Sequence, residues 1–313
     1  MMVLRAGSVY SLCMLGAYFI VLAGLAGLVF GSFLNTCATR WPRNESATKP
    51  RSHCRACERT LRWWENIPLI SWLALRGRCR TCRERIGGRY LLVELVVALL
   101  WAFAVWKIFN AAPELNYGRM SYSASVELAE GLARIIFLWI LVALAVLDVE
   151  NFWLPDKLIW PGIGLGLALA LVRATLETTL GSGGGFQVWE HFAASYVAIW
   201  FLGAVIAAGV LLVIRFIYHW VRGQEGIGMG DVKLMAMLGG WFGAQCALLS
   251  FGIAVILGAL VALIALAIPT PHVGDVPWWK KKLPFGTFLC LGAFVGTFWG
   301  LSIIALYRKW ADI

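Results

Sequence analysis

Four cysteines stand as Cys54-x2-Cys57 and Cys79-x2-Cys82, with 21 residues between the two pairs. Two such pairs at this spacing form a tetrathiolate zinc signature. Four thiolates leave no open coordination position, so the expected Zn2+ is structural, not hydrolytic. The residues between the pairs are rich in Arg and Trp (Trp63, Trp64, Trp72) and cannot build a large core. A metal would substitute for that core. The plainer alternative is four free or redox-active thiols. His53 adjoins Cys54 but is not needed as a ligand, and His191, His219 and His272 have no partner pattern. Cys13, Cys37, Cys246 and Cys290 lie in or beside apolar stretches and read as small buried hydrophobes.

Two aspartates carry a second chemistry. Asp148 follows an unbroken apolar run from Ile135 to Leu147, and Asp231 follows Gly226-Ile227-Gly228-Met229-Gly230. An ionisable group beside an apolar span is costly and needs a reason. One reason is plain: each acid caps a helix or meets a nearby cation such as Lys233. The other is an aspartic dyad. Two carboxylates about 3 Å apart cannot both ionise. The charged member then serves as general base on a water, and the neutral one donates to the scissile carbonyl. Gly226, Gly228 and Gly230 would let backbone or an extended substrate come close. Read alone, the same glycines also fit a flexible loop.

The elements that must position these residues are membrane spans. Of 313 residues, 60% are hydrophobic and 14% charged, against roughly 25% charged in a soluble domain. Apolar runs of spanning length fall at 13–34, 91–109, 132–148, 158–175, 192–217, 232–248, 250–268 and 286–307. The expected fold is an all-α polytopic membrane protein of about eight transmembrane helices. A small cytoplasmic zinc-binding domain lies between the first two. The first span is too long for a signal-peptide core and is expected to be retained. No convincing internal repeat is visible.

Residues 35–89 hold thirteen Lys/Arg against four Glu, a net of +9 out of +10 for the chain. The positive-inside rule places that loop in the cytoplasm. Basic juxtamembrane loops are the norm and favour anionic lipid over nucleic acid, so no nucleic-acid partner is expected. Cytoplasm is reducing, which argues against structural disulfides. With eight spans, 149–157, 218–231 and 269–285 are cytoplasmic too. Arg222 and the run Lys280 to Lys282 agree, whereas Arg308 and Lys309 do not. This topology brings Asp148 and Asp231 to one membrane face at similar depth. The glycine run Gly181 to Gly185 falls on the other side as a turn.

Several blocks, in order, make the chain similar to the type IV prepilin peptidases, a family of bifunctional inner-membrane enzymes. They are Gly31-Ser32-Phe33-Leu34-Asn35, the two cysteine pairs, Asn66-Ile67-Pro68-Leu69-Ile70-Ser71-Trp72 and Arg76-Gly77-Arg78-Cys79-Arg80. Then come Arg89-Tyr90-Leu91-Leu92-Val93-Glu94-Leu95, Leu147-Asp148, Leu154-Pro155-Asp156, Gly228-Met229-Gly230-Asp231-Val232-Lys233-Leu234 and Pro284-Phe285-Gly286. The resemblance implies cleavage of the basic leader from prepilins or pseudopilins, after a glycine, at the cytoplasmic face of the bacterial inner membrane. It also implies methylation of the new N-terminal amine with S-adenosylmethionine. Asp148 and Asp231 match the family's catalytic pair, and Gly228 to Asp231 its G-x-G-D signature. Lys233, Asp156 and Glu94 become supporting candidates, although Asp156 after Pro155 also reads as a helix cap. Many relatives carry Gly four residues beyond the glutamate of the Arg-Tyr block, at a position linked to methyl transfer; here it is Ala98.

The resulting domain division is 1–34 as the first transmembrane helix and 35–90 as the four-cysteine zinc domain and methyltransferase region. Residues 91–313 form the G-x-G-D peptidase. No glycine-rich nucleotide loop on a strand–helix unit is visible for the methyl donor. Three alternatives compete with this reading. One is an ion-coupled transporter using the two acids. Another is a zinc-bearing sensor or scaffold without enzyme activity. The last is a peptidase without methyl transfer.

Overall fold

The computed structural model describes residues 4–118, 120–182, 186–224, 226–267 and 283–311, without the side chains of 4–14, 182, 186, 187 and 266. Gly183 to Gly185, His272 and Lys280 to Lys282 lie outside the described residues. The helices are α1 (Leu4–Arg40), α2 (Ile70–Ala74), α3 (Arg89–Ala111), α4 (Tyr122–Asn151), α5 (Asp156–Leu176), α6 (Phe186–Arg222), α7 (Met229–Ala267) and α8 (Phe285–Trp310). Among the described residues there is no strand, only two isolated bridges in the cysteine loop. All helices but α2 are long and apolar enough to cross a membrane, seven in number among the described residues. The chain forms two compact units, Met1–Ala143 and Leu144–Ile313.

In the first unit α1 and α3 run antiparallel in near backbone contact. A Cβ on Gly27 would stand 2.6 Å from Ala98 Cα, and one on Gly31 2.7 Å from Glu94 Cα. Small residues at such crossings let backbones approach where lipid supplies no hydrophobic drive between helices. Trp139 of α4 donates to Phe30 O at 3.0 Å, tying α4 to α1.

In the second unit α7 is 39 residues long. At about 1.5 Å per residue it would measure roughly 58 Å if straight, well beyond a hydrocarbon core of about 30 Å. It is not straight. Phe242 (φ −130°, ψ 16°) and Gly243 (φ 79°, ψ 165°) leave helical geometry. The positive φ is one that glycine adopts readily. Beyond this break α7 pairs with α8 in reverse order: Gly258 with Phe288, Ser250 with Gly292, Cys246 with Gly300. Gln245 accepts from Arg308 at 3.1 Å. Yet Asp231, at the start of α7, lies within Coulombic reach of Asp148, which is bonded to Thr287 at the start of α8. Asp231 before the break and Gly258 after it are therefore both near the Thr287 level, so the helix doubles back as two antiparallel arms. The sixth and seventh expected spans share this one stretch and divide at 242–243, not at 248–250. The expected span at 158–175 is α5, with Pro161 inside it. Its glycines receive neighbours: Gly162 faces Met237, Gly166 faces Trp200 and Trp241, and Trp241 donates to Gly162 O at 2.8 Å.

Candidate active site and cysteine module

Asp148 lies in the last turn of α4 and is buried. Its Oδ2 accepts from the Thr287 backbone N–H at 2.7 Å and from the Thr287 hydroxyl at 3.1 Å. The Gly286 N–H also donates to this carboxylate. These donors belong to the first turn of α8, where backbone N–H groups have no intrahelical partner and the helix dipole favours negative charge. A Cβ on Gly286 would stand 3.1 Å from Asp148 Oδ2 and 2.9 Å from Leu154 Cδ1. Glycine here is what lets the helix end close on the acid.

Asp231 is buried in the first turn of α7. It accepts from Gly228 N–H at 3.3 Å, the reach-back bond of a capping box. The plain helix-cap role is thus present, with Asp148 within Coulombic reach. A Cβ on Gly228 would stand 3.2 Å from Asp231 Oδ2, and one on Gly230 would meet Leu154 Cβ at 3.0 Å. Neither glycine has a positive φ, so space and not backbone freedom explains both. Leu154, between Gly230 and Gly286, forms one wall of the site. Lys233 does not serve Asp231: its Nζ binds both oxygens of Asp156 at 2.8 and 2.9 Å. Asp156 is the first residue of α5, after the N-cap Pro155. Arg215 of α6 donates to Ile227 O and holds the glycine loop.

Thr287 was not among the sequence candidates, nor was Arg215. The only sequence signal for Thr287 was its place directly after Pro284-Phe285-Gly286.

The first unit carries the cysteines. The Sγ atoms of Cys54, Cys57, Cys79 and Cys82 lie within 4.8 Å of one another, and those of Cys54 and Cys82 are 3.6 Å apart. Zn–S bonds of about 2.3 Å imply tetrahedral edges of roughly 3.8 Å, so the donor set fits a metal ion. The two pairs are built alike. His53 bridges Thr60 as Arg78 bridges Arg85. Cys54 N donates to Arg59 O as Cys79 N does to Glu84 O. Glu58 and Arg83 hold positive φ of 54° and 62°. An eight-residue knuckle is thus repeated 25 positions on, a repeat of backbone that the residue types do not show. Backbone N–H groups of Cys82 and Thr81 pull the Cys79 thiol down to about 6, toward the thiolate that a metal requires. Glu65 braces the module: Arg59 grips both its oxygens at 2.9 and 3.0 Å and Arg62 N donates at 2.8 Å. The Arg59 guanidinium holds this carboxyl below its usual range.

Beside the module is a cleft of about 600 Å³, within the range of small-molecule sites. Asn35, Glu94, Tyr90 and Trp72 line it, with Arg40 and Arg85 among its basic residues. Glu94 is buried and accepts from Leu69 N at 2.7 Å. Leu69 centres a strained γ-turn (φ 61°, ψ −54°), closed by Ile70 N to Pro68 O. Asn35, 2% exposed, donates to Tyr90 O at 2.9 Å, while its Oδ1 has no partner among the described residues. Ala98 is not part of the cleft lining; it fills the contact between α1 and α3 at Gly27.

A helical membrane protein with two buried acids meeting at glycine-lined helix ends, and a four-thiol module in its other unit, is a narrow class. Comparison with known proteins places the chain within that class. Residues 25–108 match the Bacterial Peptidase A24 N-terminal domain and residues 135–263 the Type IV leader peptidase family. A Pseudomonas putida protein named prepilin leader peptidase/N-methyltransferase is 33% identical over 94% of this chain and 95% of its own. Proteins of the same name from Stutzerimonas stutzeri (32%, over 94% and 96%) and Aeromonas hydrophila (32%, over 82% and 74%) are also similar. No solved structure matches the chain significantly. The chain belongs to the type IV leader peptidase family, and it is a multi-pass inner-membrane protein.

Proposed function

We propose that this chain is an aspartic endopeptidase that removes the leader of type IV prepilins or pseudopilins at the cytoplasmic face of the inner membrane. It then N-methylates the new N-terminal residue using S-adenosylmethionine. The observation that carries the first activity is that the buried acids Asp148 and Asp231 flank Leu154 in the second unit, within Coulombic reach of each other. One carboxylate takes a proton from water as the water attacks the scissile carbonyl; the other donates a hydrogen bond to the carbonyl oxygen. The tetrahedral adduct then collapses, the C–N bond breaking as a proton is delivered to the leaving nitrogen. The glycines at 228, 230 and 286 let Asp231, Leu154 and Asp148 pack directly against the helix ends, which supports a fixed placement of the acids. The net +9 of residues 35–89 supports a cytoplasmic placement. The division proposed is a first helix at 1–34, a four-cysteine methyltransferase region at 35–90 and a peptidase domain at 91–313.

Zn2+ is the proposed metal of Cys54, Cys57, Cys79 and Cys82, where it would tie the two knuckles together. For the methyl donor, the cleft offers a fit. Asn35 Oδ1 lacks a partner among the described residues, Glu94 is a buried carboxylate, and arginines are at hand for the donor's own carboxylate. S-adenosylmethionine supplies the methyl group; Glu94 also fixes the Leu69 turn that shapes the cleft.

The test is co-expression with a tagged prepilin in cells lacking their own peptidase, with Asp148→Asn and Asp231→Asn accumulating in the membrane like wild type. Cleavage by wild type and loss of at least about 100-fold in both variants is expected, the usual scale of acid–base catalysis. Cleavage that survives either change removes that residue from the mechanism. No cleavage of any prepilin by wild type sinks the reading and revives the ion-coupled transporter. Mass spectrometry of the processed N-terminus then decides methylation: a free amine after complete cleavage sinks that half. Equilibrium dialysis with S-adenosylmethionine, comparing wild type with Asn35→Leu, tests the cleft independently of turnover.

A further inference from the structure

The two acids are not equivalent. Asp148 takes two backbone N–H donors and a hydroxyl from the first turn of α8. Asp231 takes one longer bond, from Gly228 N–H at 3.3 Å. Donors aimed at a carboxylate favour its charged form, and such charge-assisted bonds are the strong ones. The Thr287 hydroxyl has one proton and two acceptors in range, Asp148 Oδ2 and Ala145 O at 3.2 Å. An ionised carboxylate is the better of the two. Among the described residues no cation offsets this difference at Asp231, because Lys233 is spent on Asp156. The remaining titratable group described beside the pair is the Cys290 thiol of α8, within Coulombic reach of both acids.

We infer that Asp148 is the ionised member, the base that activates water, that Asp231 holds the proton offered to the scissile carbonyl, and that Thr287 is the positioning residue that fixes this division. The inference rests on the peptidase reading above. It also places the attacking water on the Asp148 side and the scissile carbonyl oxygen on the Asp231 side. In the step, the water proton passes to Asp148 as the new C–O bond forms. The Asp231 proton goes toward the carbonyl oxygen as the double bond opens.

Thr287→Val keeps the shape and the backbone N–H but removes the hydroxyl; Thr287→Ser restores it. The experiment measures cleavage of a purified prepilin by full-length enzyme across pH. For Thr287→Val, kcat falls about tenfold or more with KM within about twofold, and the acidic limb of the pH–rate profile moves to higher pH. Thr287→Ser stays within about threefold of wild type on both readouts. The inference is overturned if Thr287→Val matches wild type. It is also overturned if activity falls without movement of the acidic limb, if the alkaline limb moves instead, or if Thr287→Ser is as impaired as Thr287→Val. Failure of the wild type to cleave would remove the peptidase reading and this inference together. Cleavage by wild type with any of the other outcomes removes the inference alone.

Discussion

The cysteine module and the acid pair solve the same problem, holding a few reactive side chains in register, by opposite means. The module does it locally. Each knuckle spans eight residues and repeats the same bridge, the same turn and the same positive φ. The acid pair does it at long range. Asp148 and Thr287 are 139 positions apart, and they meet because α4, α7 and α8 bring their ends together. A local device depends on its ligands; a long-range one depends on backbones that can close on each other. Substitutions should therefore fail in different ways in the two units.

The largest effect is expected at Gly286. Valine there would push against Asp148 Oδ2 and Leu154. A displacement near 1 Å at a reacting group costs about 100-fold. Gly286→Val should lower cleavage by about that factor in the prepilin assay while S-adenosylmethionine binding by dialysis stays unchanged. Loss of both together would break the contrast between the units.

Next is the metal. Cys79→Ser should take the metal content of the purified protein from near one equivalent to near zero, as measured by atomic absorption. It should also raise hydrogen exchange across 52–87, because two knuckles with so small a core need the metal to stay joined. Cleavage should fall less than about tenfold, since among the described residues the acids take their hydrogen bonds from the second unit. A hundredfold loss of cleavage would mean that the module reaches the acid pair.

Gly77 tests the module without touching a ligand. It holds φ +64°, and a Cβ would meet the Trp72 ring at 2.8 Å. Trp72 lines the cleft and donates to Ile86 O at 3.2 Å. Gly77→Ala combines a disfavoured backbone state with crowding, a cost of about 1–3 kcal/mol. S-adenosylmethionine affinity should fall about tenfold with metal content retained.

The same contrast explains what was legible in the sequence. Cysteine spacing is a local signal, so all four ligands could be named from it. The acids were visible because each borders an apolar run, Asp148 at its end and Asp231 at its start, and the glycines before Asp231 strengthened the sign. Thr287 was marked only by its place after Pro284-Phe285-Gly286: its role depends on where α8 begins relative to Asp148, and nothing in residues 284–290 encodes that distance. The break in α7 was misplaced by several residues because hydropathy does not change there; the cluster Gly239, Gly240 and Gly243 was the available clue. The knuckle repeat was hidden because the two copies share little beyond their cysteines and one arginine, while their backbones agree.

Lys233 should show the smallest effect. Beside Asp231 in sequence, it invites a role in tuning that acid, yet its ammonium sits on Asp156. The pair is partly exposed, with side chains 35% and 55% accessible, and such pairs contribute about 0–1 kcal/mol. It links the start of α5 to the first turn of α7, so its loss should loosen that junction without changing the acids' own hydrogen bonds. Lys233→Met and Asp156→Asn should each lower cleavage by less than about fivefold. The double variant should be no worse than the poorer single one, because the second change removes a partner already lost. A Lys233→Met defect that greatly exceeds that of Asp156→Asn would show that the lysine serves Asp231 after all. The proton on Asp231 would then need another account.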